Sequence, residues 1–390
     1  MKFFHTADWH LGKLVQGVHM TEDQRYILWQ LAQEIEEERP DVVIIAGDIY
    51  DRAVPPVEAI ELLNEWLEHV ILSLQIPVIA ISGNHDSPDR LQFGSKLMQQ
   101  RGLYLIGQLQ QKIVPIIIQD AYGEVHIHPV PFADPAFVRT LYSDDSIVSY
   151  DDAMRVMIEQ MKPKLHQDAR HILVNHSFVT PSGRAEPNTS DAERPLTLGG
   201  AEYVNADHFQ PFHYVALGHL HQAHYVSQPH IRYAGSPLKY SISEQHHQKG
   251  YYIVEMDAAG ECQVEKRELT PMRDMRAITV TLEQLQEQPR SDDYMYVTLL
   301  SDSPILFPME KARQVFPNTL HVERRILSAR EMDADGQERQ DEQRVWRKNV
   351  DPVSLFAAFY EEVNEIKLSD SKRQLFADTY HALLQKEGER

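Results

Sequence analysis

The sequence predicts an α/β fold: two sheets packed face to face and flanked by helices, then a small α+β domain and a C-terminal helical pair. Three observations carry that expectation. The first third alternates short, continuously apolar strands with helical segments. Five strands end in Asp, Asn or His side chains. The character of the chain changes after about residue 269.

Residues 2–5 read as a short strand. Thr21-Glu22-Asp23-Gln24 reads as a capping box opening a helix through Glu38. Residues 41–46 (DVVIIA) form a buried strand, and Pro55-Pro56 opens a Leu-rich helix running to about Leu74. Residues 77–81 (PVIAI) are a third buried strand. Strand–helix–strand repetition with fully apolar strands indicates a layered α/β domain.

Further strands are expected at residues 114–118, 125–132, 171–174, 214–217 and 250–256. A helix bearing Met154, Val156, Met157 and Met161 lies between Asp151 and Leu165. Residues 180–200, rich in Pro, Gly, Ser, Asn and Asp, read as a long loop beside the site. Past residue 269, strands at 277–282, 294–301 and 320–326 with helical segments between them suggest the small α+β domain. Residues 328–347 are almost all charged or polar and read as an exposed linker. Residues 352–366 and 370–384 read as two amphipathic helices. The implied division is 1–269, a capping domain at 270–327, a linker at 328–350 and a helical pair at 351–390.

At 390 residues, 42% hydrophobic and 25% charged, the chain is an ordinary globular protein long enough for two or three units. Its apolar runs are too short to span a bilayer. Met1-Lys2-Phe3-Phe4-His5 lacks a signal-peptide apolar region, and Cys262 is the single cysteine, so a cytoplasmic address is expected. The net charge of −20 argues against nucleic-acid binding through phosphate contacts alone. Bound divalent cations and a basic partner supply positive charge locally, so a nuclease is not excluded.

The chemistry lies at strand ends. Asp8-Trp9-His10 follows the first strand, Gly47-Asp48 the second and Gly83-Asn84-His85-Asp86 the third. Asn175-His176 and Gly218-His219-Leu220-His221 follow two later ones. Sites in open α/β sheets form at the carboxyl ends of strands, so these loops are expected to converge. Asp8, His10, Asp48, Asn84, His176, His219 and His221 offer carboxylates, an amide oxygen and imidazoles without a thiolate, a set suited to Mn²⁺, Fe²⁺ or Zn²⁺. Asp48 can bridge two ions. Residues i and i+2 of an extended segment face the same way, so Asp8 and His10, like His219 and His221, can share one pocket. His85, beside Asn84, is placed to give a proton to a leaving oxygen or to hold a phosphate. Asp51 could accept from the His85 imidazole and fix its tautomer.

Any one of these elements alone is ordinary: Gly-Asp after a strand is a turn, and a lone His is a surface or core group. Five in this order, each after a strand, make the metal reading. His5, His126, His128, His224, His246 and His247 are read as surface or core groups, with His5 near enough to Asp8 to back the site.

With these motifs in view, the sequence resembles the calcineurin-like metallophosphoesterases. The resemblance rests on residues 5–12 (HTADWHLG), 46–51 (AGDIYD), 83–86 (GNHD), Asn175-His176 and 216–221 (ALGHLH). Residues 232–237 (RYAGSP) and the domain layout narrow it to the DNA double-strand-break repair branch. The resemblance implies one ion held by Asp8, His10, Asp48 and His221, and a second held by Asp48, Asn84, His176 and His219. His85 would be the catalytic histidine. It also implies a Mn²⁺-dependent nuclease that trims duplex ends 3′ to 5′ and nicks single-stranded and hairpin DNA. A partner ATPase and a homodimer are implied as well. Archaeal relatives carry a second histidine where this chain has Asp51, so the phosphate-positioning role assigned there does not carry over.

Arg184, Arg194 and Lys239 are candidate phosphate contacts, and Gly235-Ser236-Pro237 is a candidate floor of the site. The C-terminal helices carry Val353, Phe356, Phe359, Tyr360, Val363 and Ile366, then Leu375, Phe376, Tyr380, Leu383 and Leu384. Such an apolar face suits docking on a partner helix, by resemblance the coiled-coil root of the ATPase. The competing functions are a phosphatase or phosphodiesterase acting on a small substrate, and a scaffold without chemistry. The helical pair argues against the first, and the complete ligand set against the second.

Overall fold

The computed structural model describes residues 1–165, 168–183, 202–326, 353, 356–357, 360 and 368–388. Met1–Ile326 form one compact unit and Leu327–Arg390 another.

Two six-stranded sheets face each other in the first unit. One runs Cys262–Glu268, Gly250–Met256, Lys2–Thr6, Val42–Ile45, Val78–Ile81, Leu103–Ile106. Its last four strands are parallel, and the first two are antiparallel. The other runs His224–Tyr225, Ile231–Tyr233, Tyr214–Gly218, Arg170–His176, Gly123–Val130, Ile116–Asp120, parallel in its middle and antiparallel at both edges.

The side-chain period of two explains the continuous apolar runs. Val42 and Ile44 point into the core between the sheets, where they meet Ile127, Ile172, Val174 and Ala216. Val43 and Ile45 point the other way, against Leu28, Leu31, Leu62 and Trp66 of the helices Thr21–Glu38 and Val57–Glu68. On the far side, Leu173, Val215 and Leu217 pack against Met154 and Met157 of the helix Tyr150–Met161. The result is a helix–sheet–sheet–helix sandwich, as the sequence predicts.

Several local expectations change. The first helix has no capping box: Thr21 carries no cap hydrogen bond, and Gln24 turns inward. The second helix ends its regular part at Glu68 and continues as a wider π-turn through Ser73. Strands at Leu103–Ile106, Ile231–Tyr233 and Cys262–Glu268 are additional to those expected. The last is half-exposed and charged, which hides it from an apolar-run criterion.

Past residue 269 the chain forms a parallel sheet of Met275–Val280, Tyr294–Leu300 and Thr319–Arg325. Its own small core centres on Leu285, Val297, Leu299 and Phe316. Met275 and Tyr294 join the main core, and the Tyr294 hydroxyl donates to Asp23 at 2.7 Å. It therefore belongs to the same compact unit as residues 1–269.

In the second unit, the helix Asp370–Gly388 stacks Phe376 on Phe356 with ring centroids 4.0 Å apart. Leu375 is exposed. The linker at 328–350, the loop residues 184–200 with Arg184 and Arg194, and the side chains of Phe359, Val363, Ile366, Leu383 and Leu384 lie outside the described residues.

Candidate metal centre

Parallel strands place the motif loops side by side. Asp8 N donates to Gly47 O at 3.1 Å, His10 N to Asp48 O at 3.0 Å and Leu11 N to Ile49 O at 2.9 Å. The third loop is fastened by Asp86, whose carboxylate accepts from Gly83, Ile49 and Tyr50 N–H groups at 2.9–3.1 Å. Burial and the charge of Asp48 push Asp86 up to about 7, against those three donors.

The loops are locally strained. Asp8, His10 and Asp48 have φ values of 54°, 45° and 48°, and His219 has 106°. Non-glycine residues take such values only where the surroundings fix them, and they cluster at functional sites. Two glycines make room. A Cβ on Gly47 would lie 2.2 Å from His176 Nδ1, and one on Gly83 would lie 2.1 Å from Asp48 Oδ1.

Seven donor side chains meet in this buried space. His10 Nε2 and His221 Nε2 are 3.0 Å apart, and His10 Nε2 is 3.6 Å from Asp48 Oδ2. Asn84 Oδ1 lies 3.0 Å from His176 Nε2 and 3.3 Å from His219 Nδ1. Asp48 Oδ2 is 3.4 Å from His176 Nε2, and Asp8 Oδ1 is 3.9 Å from His176 Nδ1. Asp48 thus touches both halves of the cluster. One donor atom each from Asp8, Asp48 and His176 falls within a 4.8 Å span, and the same holds for His10, Asp51 and His85.

The charges suit cations. Burial lowers His10 and His221, and it lowers His219 to about 3, so these imidazoles are neutral and offer lone pairs. His176 is raised to about 9: burial opposes the change, and Asp48 and Asp8 overcome it. Buried carboxylates, an amide oxygen and neutral imidazoles together form a fitting donor set for two divalent ions.

The histidines of the cluster are braced from behind. His176 Nδ1 faces Ala46 O at 2.8 Å. His221 Nδ1 is 3.0 Å from Glu244 Oε1, and Glu244 Oε2 is 2.6 Å from Lys249 Nζ. Burial alone would raise Glu244, but Lys249 and His221 hold it well below the carboxylate range. Gln24 Nε2 donates to His10 O at 2.7 Å, and Gln24 Oε1 accepts from Gly12 N at 3.0 Å. Tyr240, whose hydroxyl donates to Trp9 O, sets its ring edge-on to His10. Trp9 itself packs on Trp66 with centroids 4.9 Å apart.

One expectation is corrected. His85 Nδ1 sits 2.7 Å from the main-chain oxygen of Asp51, not from its carboxylate. The carboxylate turns to Lys13 Nζ at 2.8 Å and lies 3.6 Å from His10 Nδ1, because that cation is the nearer and stronger partner. His5 bridges the two sheets, with Nδ1 3.0 Å from Tyr214 Oη and Nε2 3.2 Å from Leu217 O. Lys239 is paired with Asp274 at 2.8 Å rather than extended into solvent. Ser236 N donates to His221 O at 3.2 Å, so the Gly235-Ser236-Pro237 turn lies behind the ligand loop.

Glu244, Lys249, Gln24 and Tyr240 were not legible as site residues. Gln24 gave a misleading signal, and the other three sit in a segment without a metal-type pattern.

Comparison with known proteins places the chain in a family. The calcineurin-like phosphoesterase family matches residues 1–223, a span that holds all seven donors and His85, and the chain belongs to that family. The type 5 capsule protein repressor C-terminal domain matches residues 271–364. Over 392 residues the chain is 34% identical to SbcD of the SbcCD nuclease from Staphylococcus epidermidis, covering 100% of both, which places it in the SbcD-type branch. Among solved structures, a dimetal phosphatase from Danio rerio is similar at 12% identity, with a TM-score of 0.40 over 69% of this chain and 96% of that one. The protein TT1561 of Thermus thermophilus is similar at 10% identity, with a TM-score of 0.36 over 68% and 98%.

Proposed function

We propose that this chain is the nuclease subunit of an SbcCD-type complex, a two-metal phosphodiesterase that cuts DNA. The observation that carries the reading is the buried convergence of seven metal-type donors in a chain related over its whole length to an SbcCD nuclease subunit. Asp8, His10, Asp48 and His221 would hold one ion, and Asp48, Asn84, His176 and His219 the other. The contacts of His10 with His221, and of Asn84 with His176 and His219, support that division. Mn²⁺ suits the mixed carboxylate, amide and imidazole set.

When bound, the two ions supply a hydroxide nucleophile and neutralise charge on the phosphate. The protein supplies position and the proton. With Nδ1–H donated to Asp51 O, the His85 ring is held so that its Nε2–H can protonate the leaving oxygen. Asp51 acts here through its main chain, and its side chain backs His10. The packed loops exclude bulk water from the donors, since Asp8, His10, His176 and His221 are all buried.

The activity proposed is 3′-to-5′ exonuclease action on duplex ends and endonuclease action on single-stranded and hairpin DNA, in repair and recombination. The partner is an SbcC ATPase, docked on the C-terminal helices at 351–390. The exposed Leu375 and the stacked Phe356, Phe376 and Tyr380 support an apolar contact there. The segment at 270–327 acts as a cap. A homodimer is proposed, supported by exposed Phe93 and Leu97 on the segment after the third motif. No described helix is long and apolar enough to cross a membrane, and a cytoplasmic location is proposed with the ATP-using partner.

One assay tests the reading: purified protein with Mn²⁺, with and without ATP and the partner, on linear duplex, hairpin DNA and a chromogenic phosphodiester. Cleavage of both DNAs, stimulated by partner and ATP, is expected. Hydrolysis of the chromogenic ester alone would make it a small-substrate phosphodiesterase. Deleting residues 351–390 should abolish co-purification with the partner; retained binding would sink the docking proposal.

A further inference from the structure

We propose that Glu244, clamped by Lys249, is the positioning residue that fixes His221 as an Nε2 ligand, and that this clamp makes the two ion positions unequal in affinity. The inference rests on the two-ion reading above and adds residues that reading does not assign.

Glu244 is fully buried on a short turn between the last site motif and the strand Gly250–Met256. A buried carboxylate is costly unless every oxygen is engaged. Here Oε1 faces His221 Nδ1 at 3.0 Å, and Oε2 meets Lys249 Nζ at 2.6 Å and Tyr240 N at 3.3 Å. Lys249 is buried as well. Its ammonium also donates to His221 O and to Ser236 Oγ, both at 2.8 Å. The pair therefore grips His221 at two points, the ring through Glu244 and the main chain through Lys249.

With Nδ1–H committed to Glu244, the His221 lone pair is at Nε2, the atom 3.0 Å from His10 Nε2. A carboxylate behind a ligating histidine fixes its tautomer and raises its basicity. His10 has a weaker version of the same backing: Asp51 Oδ1, held by Lys13 at 2.8 Å, is 3.6 Å from His10 Nδ1. Both imidazoles of one ion position thus face a lysine-paired carboxylate. The other position differs: His176 Nδ1 faces the neutral carbonyl of Ala46 at 2.8 Å, with Asp8 Oδ1, itself a candidate ligand, farther off at 3.9 Å, and His219 Nδ1 faces the neutral Asn84 Oδ1 at 3.3 Å. The His10–His221 position is therefore the tighter one and fills first.

The test is a Mn²⁺ titration of the full chain, with free Mn²⁺ read by electron paramagnetic resonance. The unaltered protein should bind two ions in two unequal steps. Glu244→Gln keeps the side-chain shape and removes the charge. It should weaken the tighter step by about 10- to 100-fold and leave the other within about threefold. Two unchanged steps, or two steps weakened alike, would overturn the proposal, the second outcome marking a merely structural ion pair. Fewer than two ions on the unaltered protein would instead overturn the two-ion reading itself. If Glu244→Gln does not fold, by circular dichroism without metal, Glu244→Gln with Lys249→Gln is titrated under the same criteria.

Discussion

His85 Nδ1 lies 2.7 Å from the carbonyl oxygen of Asp51, so the proposed proton donor is oriented by backbone rather than by a charged side chain. That contact sets which nitrogen points outward. His85→Gln should bind both ions with unchanged stoichiometry and lower turnover on duplex DNA by about 100- to 10,000-fold, the usual range for a general acid. Loss of a bound ion in that variant would show that His85 is a ligand instead.

Asp51→Asn separates the two parts of the same residue. The carbonyl that holds His85 is retained, while the carboxylate that pairs with Lys13 and faces His10 is lost. If the Asp51 side chain fixed the His85 tautomer, as the sequence suggests, lower turnover at full metal occupancy would follow. The contacts reverse it: weaker Mn²⁺ binding at the His10–His221 position is expected, with turnover restored at saturating Mn²⁺. A turnover defect that persists at saturation would return Asp51 to the role of orienting His85.

Gly47 is a place where one methyl group should remove an ion. Its φ of 93° is poorly open to side chains, and an added Cβ would lie 2.2 Å from His176 Nδ1, the atom braced on Ala46 O. Gly47→Ala should therefore displace His176 and lose the weaker of the two Mn²⁺ steps while the chain remains folded. Two intact steps would show that the loop shifts without disturbing the ligand.

Gln24→Leu should destabilise the compact unit by about 3 kcal/mol, measured by denaturant unfolding, because buried Gly12 N and His10 O lose their partner. A cost near zero would mean that water takes over those groups.

Gln24 also shows where the sequence stops being readable. The candidate ligands stand out because each lies at or just past the end of an apolar strand, and parallel strands bring their carboxyl ends together whatever the details of packing. Gln24 stands in a run that matches a capping box, and local pattern gave it a local role. Its actual partners are 12 and 14 residues back, and Tyr240 is 216 residues on. Glu244 and Lys249 are silent for the same reason: a carboxylate 23 residues past His221 acquires its role only when a turn folds it back beneath the ligand. Asp51 was legible as a residue near His85, but not as a carbonyl, since no sequence pattern tells backbone from side chain as the acceptor.

The segment after residue 269 is tied to the main body through Asp23, which accepts from Tyr294 Oη at 2.7 Å and from Arg273 at 3.2 Å. Burial pushes Asp23 above its ordinary 3.8, and those two donors offset the effect only in part. A folded value above the unfolded one means that the folded chain binds this proton more tightly. The resulting stabilisation is full below 3.8 and is lost as pH rises through the raised value. Asp23→Asn cannot titrate, so it keeps one level of stability over the same range. The melting temperature of the unaltered protein, less that of Asp23→Asn, should therefore fall as pH climbs from 3.8 and then level off. A difference that rises instead would mean that Tyr294 and Arg273 outweigh burial and that Asp23 holds that segment as a carboxylate at every working pH.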